Sequence, residues 1–408
     1  MSHPTGNANV RQSVQALCED ELLAEFWTCI NWNPRSRLAR ALPVSLRQQL
    51  ARRTFPACAR GRIHTSPWRE AGRLLAPKLR IQGALTQHET GPLSVDAVFQ
   101  ALDRRVARRL PQVVGLTRVY AGEDGACETF RQAQRLGLKR FYDLPIGYWR
   151  AAQALYAEER EREPEWAATL TGTRDSPAKL ARKDEELRLA DVVFVASAFT
   201  RQTLELAPTF AGQVHVVPYG APPETDAPQP ALAPPKLRLL YVGSLTQRKG
   251  LSYLLDAVER VRDHVELTLI GTKPVVDCAP LEAALRQHCW VESLPHAGIL
   301  GEMRRHDLLL FPSLFEGFGL VMLEAMSQGL PVVATPHTAG PDVITDGEDG
   351  FLVPIRSAEA IAEKISLLLS HPARLSEMRQ AAWETARRHT WGEYRRTLTQ
   401  IIRAETTA

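Results

Sequence analysis

The second half of the chain alternates short, almost unbroken apolar runs with longer stretches in which apolar residues recur every three or four positions. Leu237–Gly243 (LRLLYVG), closed by glycine, has the pattern of a strand buried on both faces. Val265–Gly271 (VELTLIG), Asp307–Ser313 (DLLLFPS) and Leu330–Thr335 (LPVVAT) repeat it. Between them Leu251–Arg262, Leu281–His288 and Leu320–Gln328 read as helices. Ala358–Leu369 continues the alternation after a turn-rich segment at Asp346–Gly350. Strand, loop, helix, strand in this order predicts right-handed crossovers and a parallel sheet.

The first half carries a noisier version of the same pattern. Strands are predicted at Glu25–Ile30, Val113–Tyr120, Lys139–Leu144, Asp191–Ser197 and Gln213–Pro218, and helices at Asp124–Leu136, Trp149–Arg162 and Asp175–Leu189. The glutamates from Glu158 to Glu165 read as a solvated helix end. Pro4–Asn9 reads as a loop after a strand and Val10–Leu17 as the helix that follows. The strand itself is either very short or encoded upstream of Met1. Ala221–Lys236 holds Pro222, Pro223, Pro228, Pro230, Pro234 and Pro235, which neither a sheet nor a helix accommodates. An extended linker is therefore expected over 221–236, after a first domain of residues 1–220 and before a second that starts at residue 237. Two parallel-sheet domains joined in this way leave a cleft between the carboxyl ends of their strands, where ligands of such folds sit.

Size agrees with two cores, because 408 residues exceed what one ordinary core holds. Charged residues interrupt every apolar run well short of the roughly 18 needed to span a bilayer, and the polar start lacks the apolar centre of a secretory signal. A cytoplasmic protein is expected. The six cysteines are scattered without a C-x-x-C pair, which argues against a zinc site and a disulfide framework and for buried, reduced thiols. The net charge of +4 is unevenly spread: residues 1–220 carry 31 Lys and Arg against 23 acids, and residues 221–408 carry 19 against 23. Arginines crowd from Arg35 to Arg80 and from Arg104 to Arg109. A basic first half suits an anionic acceptor or peripheral contact with the inner face of a membrane, and equally a solvated arginine-rich surface. Without aromatic interleaving or a recognisable module it does not point to nucleic acid.

The chemistry-bearing residues gather after two of the predicted strands. In Pro312-Ser313-Leu314-Phe315-Glu316-Gly317-Phe318-Gly319-Leu320 a strand ends near Ser313 and a helix starts near Gly319. Gly317 and Gly319 let backbone approach a ligand, and the first-turn amides are unpaired donors at the positive end of the helix dipole. That arrangement suits a diphosphate. Glu324 lies about one turn inside the helix and can point toward a ribose, and Glu316 sits on the loop before it, near where a sugar would be. Two acids favoured by a helix N-terminus is the plainer alternative. Gly243-Ser244-Leu245-Thr246-Gln247-Arg248-Lys249-Gly250 follows the first strand of the second domain, on the same predicted sheet edge. Its Arg248 and Lys249 can neutralise a departing diphosphate.

Together with Val217-Pro218-Tyr219-Gly220 and Ala190-Asp191-Val192-Val193-Phe194-Val195-Ala196-Ser197, these segments resemble the retaining family 4 glycosyltransferases, glycosyl transferases group 1. The resemblance covers about residues 185–390 and thins before that. It implies the GT-B fold: α/β, with two Rossmann-like parallel-sheet domains facing each other across a cleft. The second domain would span 237–389 and bind the nucleotide-sugar, and a terminal helix within 390–408 would cross back to the first, with Trp391 a packing residue. It also implies that Lys249 contacts donor phosphate, that Glu324 holds the ribose, that Glu316 lies at the sugar, and that Phe318, Gly319 and Leu320 cradle diphosphate or sugar by their backbone. Gly243, Ser244 and Gly271 would border the donor, Gly6 and Asn7 would face it or the acceptor, and His296 and Gly298 would shape the base pocket.

The chain departs from the family pattern twice. Ser244 stands where many members have arginine, and Arg248 is the candidate replacement. Tyr142-Asp143-Leu144-Pro145-Ile146-Gly147-Tyr148 stands where members often have a histidine near the sugar, offering Asp143 and Tyr148, whose plainer roles are a cap and a core residue. The expected reaction is transfer of a sugar from a nucleoside diphosphate, UDP or GDP, to a hydroxyl acceptor on a glycan, lipid or small molecule, with retained anomeric configuration. Lys249, Arg248 and Glu316 are the expected catalytic residues. No Asp-x-Asp element occupies a suitable loop, so neither metal nor other cofactor is expected. The rivals are a nucleotide-sugar epimerase or phosphorylase, and a non-catalytic nucleotide-sugar-binding protein.

Overall fold

A computed structural model describes residues 1–36, 47, 50–77, 79, 81, 83–172, 174–222, 227, 236–274 and 276–407. Most of the proline-rich stretch expected as a linker lies outside them. In chain order the strands are β1 (Phe26–Thr28), β2 (Ile63–Thr65), β3 (Arg118–Gly122), β4 (Lys139–Leu144), β5 (Val192–Val195), β6 (Gln213–Val216), β7 (Leu237–Val242), β8 (Val265–Ile270), β9 (Cys289–Val291), β10 (Leu308–Phe311), β11 (Val332–Ala334) and β12 (Gly350–Leu352). The second sheet has the order β12-β11-β10-β7-β8-β9 with every neighbour parallel. Its central strands are buried on both faces: Leu239, Leu240 and Tyr241 of β7 and all four residues of β10 show no exposure. That double burial is what their unbroken apolar pattern requires.

The first sheet runs β3-β4-β5-β6, all parallel, and β1 pairs with β2. Ser2 bridges both Trp27 of β1 and Ala121 of β3, so a single residue joins the two ladders. The strand expected before the Pro4–Asn9 loop is present in its shortest form. β3 starts at Arg118 rather than Val113, because the tight turn Leu110–Gln112 and the left-handed Gly115 (φ 74°) break the earlier part of that apolar run.

The last helix, Trp391–Thr407, lies against the first, Ala8–Glu19. Ser13 Oγ and Tyr394 OH are 2.7 Å apart, Arg395 donates to Gln12 at 2.6 Å, and Arg403 pairs with Asp20 at 3.1 Å. Trp391 stacks its edge on Tyr394 and lies 5.9 Å from the Tyr219 ring, the packing role expected of it. All six cysteines are free; Cys58 and Cys289 are exposed, against the expectation that all would be buried. Among the described residues no helix is long and apolar enough to cross a membrane.

Candidate functional site

Because β7 and β10 are parallel neighbours, the loops that follow them leave the sheet side by side. The turn Gln247–Lys249 after β7 meets the Leu314–Glu316 loop after β10: Leu314 N donates to Arg248 O at 2.9 Å, and Arg248 Nη1 donates to Phe315 O at 2.8 Å. Glu316 Oε2 accepts from Arg248 Nη1 at 3.1 Å and from Lys249 Nζ. The Lys249 ammonium also sits 4.7 Å from the centroid of the Phe311 ring, on the last residue of β10. The basic turn and the glutamate-glycine loop thus form one cluster on one sheet edge.

Its electrostatics follow from two cations sharing one carboxylate. Burial pushes the Glu316 carboxyl up, but Lys249 and Arg248 outweigh it and hold the pKa at about 2. For Lys249 burial lowers the pKa, and although Glu316 opposes this, Arg248 adds repulsion and the net shift is downward. One surplus positive charge therefore stands in a mostly dry place, poised for an anion.

Gly319, in the left-handed region at φ 87°, is the N-cap of the helix Leu320–Ser327, and a side chain there would also run into the Phe311 ring. Met322 N donates to Gly319 O at 2.9 Å, which leaves the Leu320 and Val321 amides of the first turn without an acceptor within the helix. One turn along, Glu324 Oε1 lies 2.9 Å from His296 Nε2, a hydrogen bond that raises the histidine pKa. Both residues line a cleft of about 960 Å³ between the two sheets. Gly6, Asn7, Arg11 and Arg52 face them across it, with Arg387 and Arg395 at the end nearest the terminal helix. Among the described lining residues Glu324 is the one acid.

Gly317 fills a role the sequence does not reveal. A methyl there would overlap the Pro145 carbonyl oxygen at the end of β4, and Gly317 O accepts from Ser197 Oγ at 2.5 Å and Thr200 Oγ1 at 2.9 Å. Its bare backbone receives the first domain, a requirement for glycine beyond the one expected.

Residues 236–371 match the family described as Glycosyl transferases group 1. These residues make up about a third of the chain. The phosphatidyl-myo-inositol mannosyltransferase of Mycobacterium leprae is 33% identical over 184 residues, which are 43% of this chain and 49% of that protein; the chain matches about half the relative's length. The MMP alpha-(1->4)-mannosyltransferase of Mycolicibacterium hassiacum is 26% identical over 312 residues, 70% of this chain and 74% of that one. Among solved structures, sucrose-phosphate synthase from Thermosynechococcus elongatus superposes with a TM-score of 0.68 at 19% identity, covering 98% of this chain and 93% of that chain. Anabaena Alr3699/HepE, solved in complex with UDP and glucose, gives 0.63 at 14% identity, each chain covered to 98%. These likenesses show the GT-B fold.

The remaining residues implied by the resemblance fall in different places. Gly243 and Gly271 lie next to each other at the ends of β7 and β8, Gly243 N donating to Ile270 O at 2.9 Å and Gly271 N to Val291 O at 3.0 Å. The Ser244 carbonyl accepts from Tyr241 OH at 2.7 Å, while Arg248 occupies the cluster with Glu316. Phe318 is buried and packs 5.1 Å from the Tyr219 ring, and Leu320 lines the cleft. Two first-domain expectations are corrected. Tyr148 is 2% exposed and turns into its own domain, where its hydroxyl donates to Asp184. Asp143 is buried beside Tyr120, Tyr219 and Tyr394, and burial raises its pKa to about 7. Neither lines the cleft.

Sequence reasoning missed Glu159. The glutamate cluster expected to be a solvated helix end has this member wholly buried, accepting from Gln247 Nε2 at 2.7 Å, Tyr253 OH at 2.9 Å and Arg356 Nε at 2.7 Å. Its position beneath Tyr156, three residues earlier on the same helix face, was the available signal, since Tyr156 also faces inward.

Proposed function

We propose that the protein moves a sugar from a nucleoside-diphosphate sugar, UDP- or GDP-linked, to a hydroxyl acceptor with retention of the anomeric configuration. The observation that carries this is the Arg248–Lys249–Glu316 cluster beside the amino end of the helix Leu320–Ser327, with Glu324 one turn along at the cleft. A diphosphate entering there meets the surplus cation and the first-turn amides, and Glu324 is placed for the ribose hydroxyls. As the sugar–phosphate bond breaks, negative charge grows on the leaving oxygen, where Lys249 and Arg248 stabilise it more than in the ground state. With its pKa held at about 2, Glu316 remains ionised near neutral pH. It cannot donate a proton and is a weak base, so its work is to accept hydrogen bonds from sugar hydroxyls and to favour positive charge at the anomeric carbon.

The relatives' names support this class of reaction, two of them being mannosyltransferases. The cations of the basic turn supply charge that a metal would otherwise bring, so transfer is expected to persist in EDTA. Peripheral contact with an anionic inner membrane face of the cytoplasm is supported by Trp68, Leu75, Leu79 and Ile81, exposed within one short stretch beside Arg69 and Arg73. Incubation with UDP- and GDP-sugars, with and without acceptors, tests the reaction. Acceptor-dependent release of UDP or GDP with an axial or equatorial anomer matching the donor is expected. Conversion of the donor with no acceptor present, or binding without turnover, would contradict it.

A further inference from the structure

The basic turn is held from the other domain. The helix Trp149–Arg162, which follows β4 of the first sheet, reaches both halves of the candidate donor site. Its Tyr156 ring packs edge to face on Phe315, the neighbour of Glu316, at 6.0 Å. One turn on, the wholly buried Glu159 accepts from Gln247, the first residue of the turn that carries Arg248 and Lys249. Gln247 is itself unexposed; its amide nitrogen donates to Thr169 Oγ1 at 2.9 Å, and its side-chain oxygen accepts from Ser252 N at 3.1 Å. The second Glu159 oxygen is taken by Arg356, which also donates to Glu158 at 2.8 Å and to Leu155 O at 3.3 Å. Arg356 adopts φ 62°, a conformation unfavourable for a side chain with a Cβ, so the clamp is built at a local cost.

We infer that Glu159 is a positioning residue: with Arg356 behind it, it clamps the Gln247–Lys249 turn against Glu316 and so ties the placement of the phosphate-binding cations to the apposition of the two domains. The inference rests on the reading that this turn meets the donor diphosphate. A buried carboxylate with three good donors is a stiff anchor, because moving the turn away would strip its buried Oε1 of the Gln247 donor. Opening of the domains would release Gln247, and with it the geometry of Lys249. The ligand site would then form fully only when the domains are together.

The test uses the full chain with Glu159→Gln and Arg356→Gly. In Glu159→Gln one acceptor oxygen becomes a donor that faces Arg356 or Gln247, so a clamp contact is lost without a change of volume. Arg356→Gly removes the second anchor at a backbone conformation glycine prefers, and it carries the test should Glu159→Gln fail to melt cooperatively. Two readouts are taken: hydrogen exchange of the Gln247–Gly250 amides, with β10 and β11 as internal controls, and calorimetric affinity for UDP and GDP. Exchange at the turn is expected to rise about tenfold while the controls keep their rates, and nucleotide affinity to fall by about the same factor. Unchanged exchange at the turn in both variants overturns the clamp, and faster exchange with unaltered nucleotide affinity overturns its service to the donor site. A wild-type chain that binds neither UDP nor GDP refutes the donor reading instead, and the exchange result still decides the clamp.

Discussion

Replacing Glu316 by glutamine should destabilise the fold near neutral pH, and by an amount that titrates away in acid. The carboxylate lies between Lys249 and Arg248 and its pKa is held at about 2 against an ordinary 4.5. At about 1.4 kcal/mol per pKa unit, that depression corresponds to roughly 3 kcal/mol of stabilisation of the ionised form in the folded state. The sign follows from proton counting. The folded group binds its proton less readily than the unfolded one, so the contribution is fully present above the unfolded value of 4.5 and is lost as the pH falls through the folded value of about 2. The variant lacks the titration and leaves two buried cations without their shared counterion. Urea unfolding of both proteins at around pH 7 should therefore show a difference of about 3 kcal/mol, shrinking steadily towards pH 2. A variant as stable as the wild type at neutral pH, or a gap that does not narrow in acid, would refute the ion cluster as described.

Three further outcomes are expected. Glu324→Ala should weaken UDP or GDP binding by about tenfold in calorimetry while His296→Ala costs less, since the histidine touches the cleft only beside that carboxylate; equal losses would move the ribose contact to the histidine. Asp143→Asn should gain stability relative to wild type as the pH rises from 3.8 to about 7, because the raised folded pKa makes the native acid increasingly costly over that window; parallel pH profiles of the two melts would contradict the burial. Trp68→Ser should lower sedimentation with vesicles containing phosphatidylglycerol, and no sedimentation of the wild type would remove the peripheral membrane contact.

The parts of this structure that were legible in the sequence are those fixed by local periodicity and chain order. β7, β8 and β10 announce themselves because central strands of a parallel sheet are apolar on both faces, and the adjacency of Lys249 to Glu316 follows from placing two such strands side by side. Short edge strands gave no such signal: β9 and β12 have three residues each, too few to establish a period. Long-range contacts were equally silent. Nothing in Glu-Gly-Phe-Gly says that Gly317 receives Pro145 from a strand far earlier in the chain, and in the run of glutamates the buried one is marked only by Tyr156 on the same helix face. Asp143 and Tyr148 flank a loop that does reach the second domain, but strand alternation and the Asp184 hydrogen bond turn both side chains elsewhere.

The most direct measurement is the preference for a second phosphate. The protein is titrated calorimetrically with UDP and UMP, and with GDP and GMP, in EDTA, first as wild type and then as Lys249→Ala. A diphosphate seated between the basic turn and the helix amides should bind about tenfold or more tightly than its monophosphate, and the substitution should erase most of that gain. Equal affinity for diphosphate and monophosphate in the wild type, or a preference that survives the loss of Lys249, would contradict it.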